Sequence, residues 1–267
     1  MKTNEFSKEH IKYLKSEKRN RTLVTLGRIS VIFVIVLLWE LLARYEIIDS
    51  FLMSSPSRIV KTIGELLSGG DLSRHVVTTL WETVAGFLIA TAVGSFVALI
   101  MWWSASFKKI FEPYIIVLNS LPKIALGPII IVWFGSGTKS IIFMAFLITV
   151  VVTTITMSNG FSATEKSKIM LLKSMGSTKL QTLLKLVLPS SVPTFISCLK
   201  INVGMSWIGS IMGEYLSSKE GIGYLIVYGG QVFKLDLVMA STVILCVLAG
   251  GMYALVAFLE KMLVKKR

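Results

Sequence analysis

The sequence predicts an all-α membrane protein that crosses the bilayer six times. Of its 267 residues, 54% are hydrophobic and only 16% are charged, and the mean hydropathy is +0.73. An ordinary soluble domain has about a quarter charged residues. A chain this apolar can neither hide its surface in one soluble core nor remain disordered in water. These observations exclude the soluble and the disordered classes of protein.

Three long uncharged stretches can each cross the roughly 30 Å of hydrocarbon in a bilayer. Three further apolar stretches carry isolated charges, among them Arg28, Lys123 and Lys200. We predict a basic arm at 1–21, a membrane domain at 22–260 and a tail at 261–267. Within the membrane domain, the six predicted spans cover residues 22–43, 83–104, 114–134, 140–161, 190–213 and 237–259.

The distribution of lysine and arginine predicts the orientation of these spans. An even number of spans places both termini on one side, and that side, with the loop between the fourth and fifth spans, receives most of the basic residues. The positive-inside rule therefore predicts that both termini and this loop are cytoplasmic. The basic arm is expected to face water or lipid headgroups. Mixed charges before the first span, with no small-residue cleavage site after it, argue against a cleaved signal peptide.

The sequence lacks the residues that several kinds of protein chemistry need. Cys198 and Cys246 lie far apart in apolar stretches, and the histidines are His10 and His75. This composition predicts neither a metal site, nor a disulfide framework, nor a membrane enzyme. The basic residues lie between apolar stretches, so no nucleic-acid partner is expected. The glycine-rich turn at 135–140 lacks the spacing of a phosphate-binding loop, and we expect no catalysis and no bound cofactor.

A polar segment, residues 162–189, separates the fourth and fifth spans and has the pattern of two short helices. Ser162 and Glu165 fit a capping box, and Gly176 fits the left-handed position after a helix. Pro189 is expected to end the second helix. An apolar face on the first helix can lie in the lipid interface or insert into a groove on another protein. That face comprises Ile169, Leu172 and Met175.

Two regions within the spans are candidates for a translocation path. In the third span, Pro122 and Pro128 interrupt the helix beside Lys123, either to line a cavity or as a packing kink. The fifth span carries Lys200 and a polar stripe, which either faces a path or hydrogen-bonds to neighbouring helices. Small-residue strips in the second and fifth spans suit either packing within the chain or a twofold dimer. The polar stripe consists of Asn202, Ser206 and Ser210.

One pattern in segment 162–189 resembles a known family. Gly176, a nine-residue spacer and then Leu186-Val187-Leu188-Pro189 resemble the second half of the EAA loop in permease subunits of ATP-binding-cassette (ABC) importers. Residues 121–140 and 199–226 resemble the aliphatic sulfonate, taurine and nitrate branch, and the similarity begins near residue 50. The departure is at the head of the motif, where Met170-Leu171-Leu172 replaces the Glu-Ala-Ala of the family.

The resemblance implies a type I ABC importer permease in the cytoplasmic membrane of a prokaryote, with a coupling helix at 163–175. It implies a cytoplasmic ATPase dimer that holds ATP and Mg²⁺, an extracytoplasmic solute-binding protein and a second copy of the chain. The solute would be a sulfonate-, taurine- or nitrate-like anion or a related small organic compound. The alternative function is a secondary transporter, which needs an intramembrane acid and internal repeats. The implied ATPase-coupling residues are Ser162, Glu165, Ile169, Leu172, Met175, Gly176, Leu186, Leu188 and Pro189.

Overall fold

The structure is a computed structural model that describes residues 8–264. Every regular element in this range is a helix, which confirms the predicted all-α class. The ends of the predicted basic arm and tail, residues 1–7 and 265–267, lie outside the described residues. The chain divides into two compact units, Met1–Thr62 and Ile63–Arg267.

Twelve α-helices cover most of the described chain. A short 3₁₀ turn, Lys123–Leu126, precedes the sixth helix, and a π-helical turn, Leu183–Val187, precedes the tenth. In chain order the helices are α1 Lys8–Arg44, α2 Ser50–Met53, α3 Pro56–Ser68, α4 Asp71–Trp103, α5 Ala105–Ser120, α6 Gly127–Phe134, α7 Thr138–Ser162, α8 Lys166–Ser174, α9 Lys179–Thr182, α10 Leu188–Ser217, α11 Ile222–Gln231 and α12 Leu235–Val264.

The first unit contains α1, whose stretch Thr22–Arg44 is long and apolar enough to cross a membrane. After α1 the chain turns sharply, and Asp49 caps α2 by accepting the Phe51 N–H at 2.8 Å. The Glu40 carboxylate accepts the backbone N–H of Ser57 at 3.0 Å, which ties the start of α3 back to α1.

The second unit is organised around α7, which packs between α4 and α10. A Cβ atom added at Gly94 of α4 would lie 2.6 Å from the Thr153 Cβ of α7. One added at Gly213 of α10 would lie 2.9 Å from the Ile141 Cα. The small residues therefore allow helix backbones of the same chain to approach closely. This result decides between the two roles that the sequence left open for these strips.

The predicted third span is not one helix. Ala105–Ser120 and Lys123–Phe134 meet at an angle of 87°, and the described residues contain six candidate spans only if this bent pair counts as one. The break falls at Leu121, which has an extended ψ of 138° before Pro122. A residue that precedes proline avoids the helical region because of a clash with the proline ring.

The junction after α9 also differs from the prediction. Pro189 does not end a helix: α9 continues through the π turn into α10, and Pro189 lies in the first turn of α10. Because the helix is continuous here, the proline removes one backbone N–H from it, and the π turn directly before Pro189 contains residue 185, whose carbonyl the proline ring would meet in a regular α-helix. A second difference is α11, an additional short helix between α10 and α12 that the sequence pattern did not predict.

Candidate functional site

The segment between α7 and α10 contains a short helix with a well-defined end. Gly176 follows α8 with φ +79°, which confirms the predicted left-handed position. The Gly176 N–H donates to the Lys173 carbonyl at 2.9 Å, and the Ser177 N–H donates to the Leu172 carbonyl at 3.0 Å. This pair of bonds is the Schellman motif, which satisfies carbonyls left over at a helix C-terminus. Local backbone bonds therefore stop α8.

The predicted capping box at the start of α8 is wrong. Ser162 is the last residue of α7, and its hydroxyl lies 3.0 Å from the donating Lys108 Nζ. Glu165 is the N-cap residue of α8, without a side-chain cap bond, and its carboxylate pairs with Lys168 at 2.8 Å. The helix begins only at Lys166, so Ser162 lies too far upstream to reach its free N–H groups.

A capping box does form one helix later. The Gln181 N–H donates to Thr178 Oγ1 at 3.2 Å, and the Thr178 N–H donates to Gln181 Oε1 at 2.8 Å. The Thr-x-x-Gln pattern that encodes this box is visible in the sequence and was missed. Lys179 then donates to the Trp103 carbonyl, and its Nζ lies 5.3 Å from the ring centroid of Trp103 and 5.9 Å from that of Trp102. These contacts attach α9 to the end of α4.

The accessible apolar surface at α8 overlaps the predicted face at Met175 and extends to two residues outside it. Ile169 and Leu172 are half-buried against their own chain. Met175, Met170 and Leu171 are 75%, 68% and 61% exposed. A partner can therefore contact the side of α8 that carries Met170 and Leu171, at the position where the sequence departs from the EAA pattern. Of the other predicted coupling residues, Leu186 lies in the π turn and Leu188 begins α10.

The polar stripe on α10 serves packing between helices. Asn202, Ser206 and Ser210 have no exposed surface. The Asn202 amide donates to the Thr91 hydroxyl of α4 at 2.9 Å and accepts from the Thr153 hydroxyl of α7 at 3.1 Å. The Ser210 hydroxyl lies 2.6 Å from a threonine hydroxyl of α4. Asn202 and Ser210 therefore make the interhelical hydrogen bonds of one sequence interpretation, whereas the Ser206 hydroxyl donates to backbone carbonyls of α10 itself. A role of the stripe in a path remains a prediction.

The remaining path candidates are Lys200 on α10 and the three residues at the break between α5 and α6. Lys200 donates to the Glu260 carboxylate of α12 at 2.6 Å, so its charge is paired rather than free. Lys123 donates to a backbone carbonyl one turn earlier at 3.2 Å, beside the break. Pro122 and Pro128 are exposed on the bent helix pair. A role for these three residues in a path remains a prediction.

At the opposite end of the bundle, side chains of two other helices bind the N-terminus of α11. The N–H groups of residues 221–223 donate in turn to His75 Nδ1, Thr79 Oγ1 and Glu214 Oε2, at 2.9, 2.8 and 2.6 Å. The first two acceptors belong to α4 and the third to α10. These bonds satisfy backbone donors that a helix N-terminus leaves without partners. Sequence reasoning missed this cluster because its members are distant in the chain.

The described residues form a multi-span helical bundle with an exposed short helix between two spans, which is the architecture of an integral membrane protein. The chain belongs to the family described as the binding-protein-dependent transport system inner membrane component, whose family model matches residues 90–267. It is therefore an integral membrane protein and the transmembrane permease subunit of an ATP-driven importer.

Known proteins similar to the chain include two transport permeases. The formylaminopyrimidine transport permease protein of Halalkalibacterium halodurans is 32% identical over 71% of this chain and 75% of its own length. The taurine transport system permease protein of Escherichia coli is 23% identical over 85% of this chain and 84% of its own length. A chain of the inward-facing MetNI methionine ABC transporter matches with a TM-score of 0.64 at 19% identity, over 74% of this chain and 97% of that chain. This last likeness confirms the predicted type I importer fold.

Proposed function

We propose that the chain couples solute import to a separate cytoplasmic ATPase dimer through α8. The observation that supports this most directly is the exposure of Met170 and Leu171 on a short helix with a backbone-defined stop. An exposed apolar helix face suits insertion into a groove on another protein. The chain has no phosphate-binding loop, so ATP and Mg²⁺ would be held by the partner.

The same proposal assigns the other components. Two ATPase subunits need two docking helices, which favours a homodimer of this chain. Both termini would be cytoplasmic, and an extracytoplasmic binding protein would deliver the solute. Closure of the ATPase pair would push on α8 and shift the permease between inward-open and outward-open states, which is a two-state mechanism.

The solute class follows from the similar proteins. Their names give taurine and formylaminopyrimidine as transported compounds. We propose a small sulfonate-, taurine- or nitrate-like anion or a related small organic compound for this chain. The exposed break at Pro122, Lys123 and Pro128 would line the path, because it faces away from the packed interior of its own chain. Membership of the family argues against the alternative of a secondary transporter.

The docking proposal can be tested with a double substitution on α8. In the variant Met170→Glu/Leu171→Glu, two exposed apolar side chains become charged, which should remove the docking face and leave the fold intact. The tagged chain is extracted from its native membrane in mild detergent, and the co-purifying proteins are identified by mass spectrometry. We expect the unmodified chain to recover an ATPase with a phosphate-binding loop, and the variant to lose at least nine-tenths of it.

The matched control is Val60→Glu/Leu67→Glu, which introduces the same charges at two exposed apolar positions of α3. It should retain the ATPase. Equal recovery of the ATPase by the α8 variant and the unmodified chain would contradict docking through α8. A pure oligomer without an ATPase that still moved solute into vesicles would instead favour the secondary transporter.

A further inference from the structure

A polar cavity lies at the end of the second unit where α11 begins. Its volume is about 370 Å³, and hydroxyl groups and charged side chains from three segments of the chain surround it. Glu82 of α4 is among the lining residues, although only 1% of its surface is exposed to solvent. The polar side chains at the cavity include Thr78, Ser136, Thr138, Ser217, Ser218 and Glu220.

Glu82 has an unusual environment for a buried carboxyl group. Neither of its oxygens has a hydrogen-bond donor among the described residues. The side chains that interact with it most strongly are the hydroxyl of Thr138 and the carboxyl of Glu214, and Glu214 is also 1% exposed. One Glu214 oxygen accepts the Gly223 N–H at 2.6 Å, whereas the other has no donor within the described chain. Three buried carboxyl oxygens therefore face each other or the cavity without a donor.

Two adjacent buried carboxyl groups cannot both remain ionised without a positive charge between them. The N–H groups of residues 223 and 224 point at Glu214 and favour its charged form. A proton would therefore reside on Glu82, where it can be donated to the free oxygen of Glu214. One proton removes the repulsion between the two carboxylates, because it neutralises one of them. The same proton supplies the hydrogen-bond donor that the free oxygen of Glu214 lacks.

The other charged and titratable groups around the pair do not supply this positive charge. Glu220 adds negative charge and is itself paired with Arg74. Lys219 lines the cavity but is exposed to solvent. Tyr215 is neutral below about pH 10, and the His75 Nδ1 atom already accepts an N–H bond. Within residues 8–264, no group of three or more His, Cys, Asp or Glu side chains could hold a metal ion.

We propose that Glu82 and Glu214 form a proton-binding site that locks the start of α11 to α4 and α10. The bound proton lets Glu214 stay close to Glu82 while it accepts the N–H groups at the start of α11. When the proton leaves to water through the cavity, two adjacent carboxylates repel each other, and Glu214 releases the α11 N-terminus. This site requires neither the proposed solute nor the proposed ATPase contact.

The test is the thermal unfolding of the full chain in lipid nanodiscs between pH 7 and pH 9. Histidine titrates below this range and tyrosine and lysine above it. The folded chain holds a proton that the unfolded chain releases, so stability should fall as the pH rises. We expect the midpoint temperature to fall by about 3 °C per pH unit up to the pH at which the folded chain releases the proton, and to level off above it, where neither state holds the proton. In Glu82→Gln, which mimics the protonated acid, the fall should disappear.

A matched control and a second measurement make the result decisive. Glu46→Gln changes an exposed acid and should keep the pH dependence of the unmodified chain. Hydrogen exchange at residues 221–224 of the unmodified chain, corrected for intrinsic exchange rates, should lose protection between pH 7 and pH 9, which tests the lock without any substitution. The proposal would be overturned if neither the midpoint temperature of unfolding nor the exchange protection of residues 221–224 changed between pH 7 and pH 9. Stabilisation at pH 9 by Na⁺ relative to choline would also overturn it, because the site would then hold a metal cation.

Discussion

The two ends of the second unit hold their short helices in opposite ways. At one end, α8 stops at Gly176 through backbone bonds to its own last turn, and no atom lies within 4 Å of the position of an added Cβ. At the other end, α11 starts beside Gly221, whose φ is +109°, and an added Cβ would meet the carboxylate of Glu214. Both glycines adopt a conformation that other residues rarely adopt.

This difference shows how a helix bundle can combine a helix that its own backbone stops with one that other helices anchor. The end of α8 depends on local backbone bonds, so the stop itself needs no contact with α4, α7 or α10. The start of α11 depends on side chains from two other helices, namely His75, Thr79 and Glu214. Movement of α11 would leave buried N–H groups without partners, which costs about 1–3 kcal/mol for each group.

The strongest test of the comparison is Gly221→Ala against Gly176→Ala. We expect Gly221→Ala to lower the free energy of unfolding by about 3 kcal/mol, because it adds backbone strain and displaces Glu214. Gly176→Ala should cost about 1 kcal/mol, from the left-handed conformation alone. Thermal unfolding of both variants in nanodiscs measures the difference. Equal losses of stability would show that α8 and α11 are held alike.

A smaller effect is expected from Thr79→Val, which keeps the side-chain shape but removes the acceptor of the Ile222 N–H. The buried N–H group then lacks a partner, and the loss of stability should be about 2 kcal/mol by the same measurement. The adjacent Thr78→Val is the matched control and should change stability by less than about 0.5 kcal/mol. A Thr79→Val protein as stable as the control would show that the Thr79 hydroxyl does not stabilise the start of α11.

A small effect on stability, with a large effect on function, is expected from Gly176→Val. A β-branched residue penalises the left-handed conformation and should cost about 1–2 kcal/mol. ATP hydrolysis by the assembled complex should continue, whereas coupled transport should fall at least tenfold. Both rates can be measured together in proteoliposomes. Coupled transport at the unmodified rate would contradict the role of this helix stop.

Local signals in the sequence were reliable where the structure depends on neighbouring residues. Gly176 was recognisable as a helix stop because its bonds span only a few residues. The apolar stretches predicted the class of protein because a bilayer requires long apolar helices. The capping box at Ser162 failed although its residue types fit, because α8 starts four residues later. The break at Pro122 was recognisable, but its 87° bend was not.

The sequence by itself determined the all-α membrane class, the location of segment 162–189 and the stop of α8. Tertiary structure alone decided that Asn202 bonds to α4 and α7, that Lys200 pairs with Glu260, and that Met170 and Leu171 are exposed. It also brought Glu82 and Glu214 together from distant parts of the chain. The physical reason is that periodicity assigns a residue to a helix face, whereas only the packed bundle determines which partner that face meets.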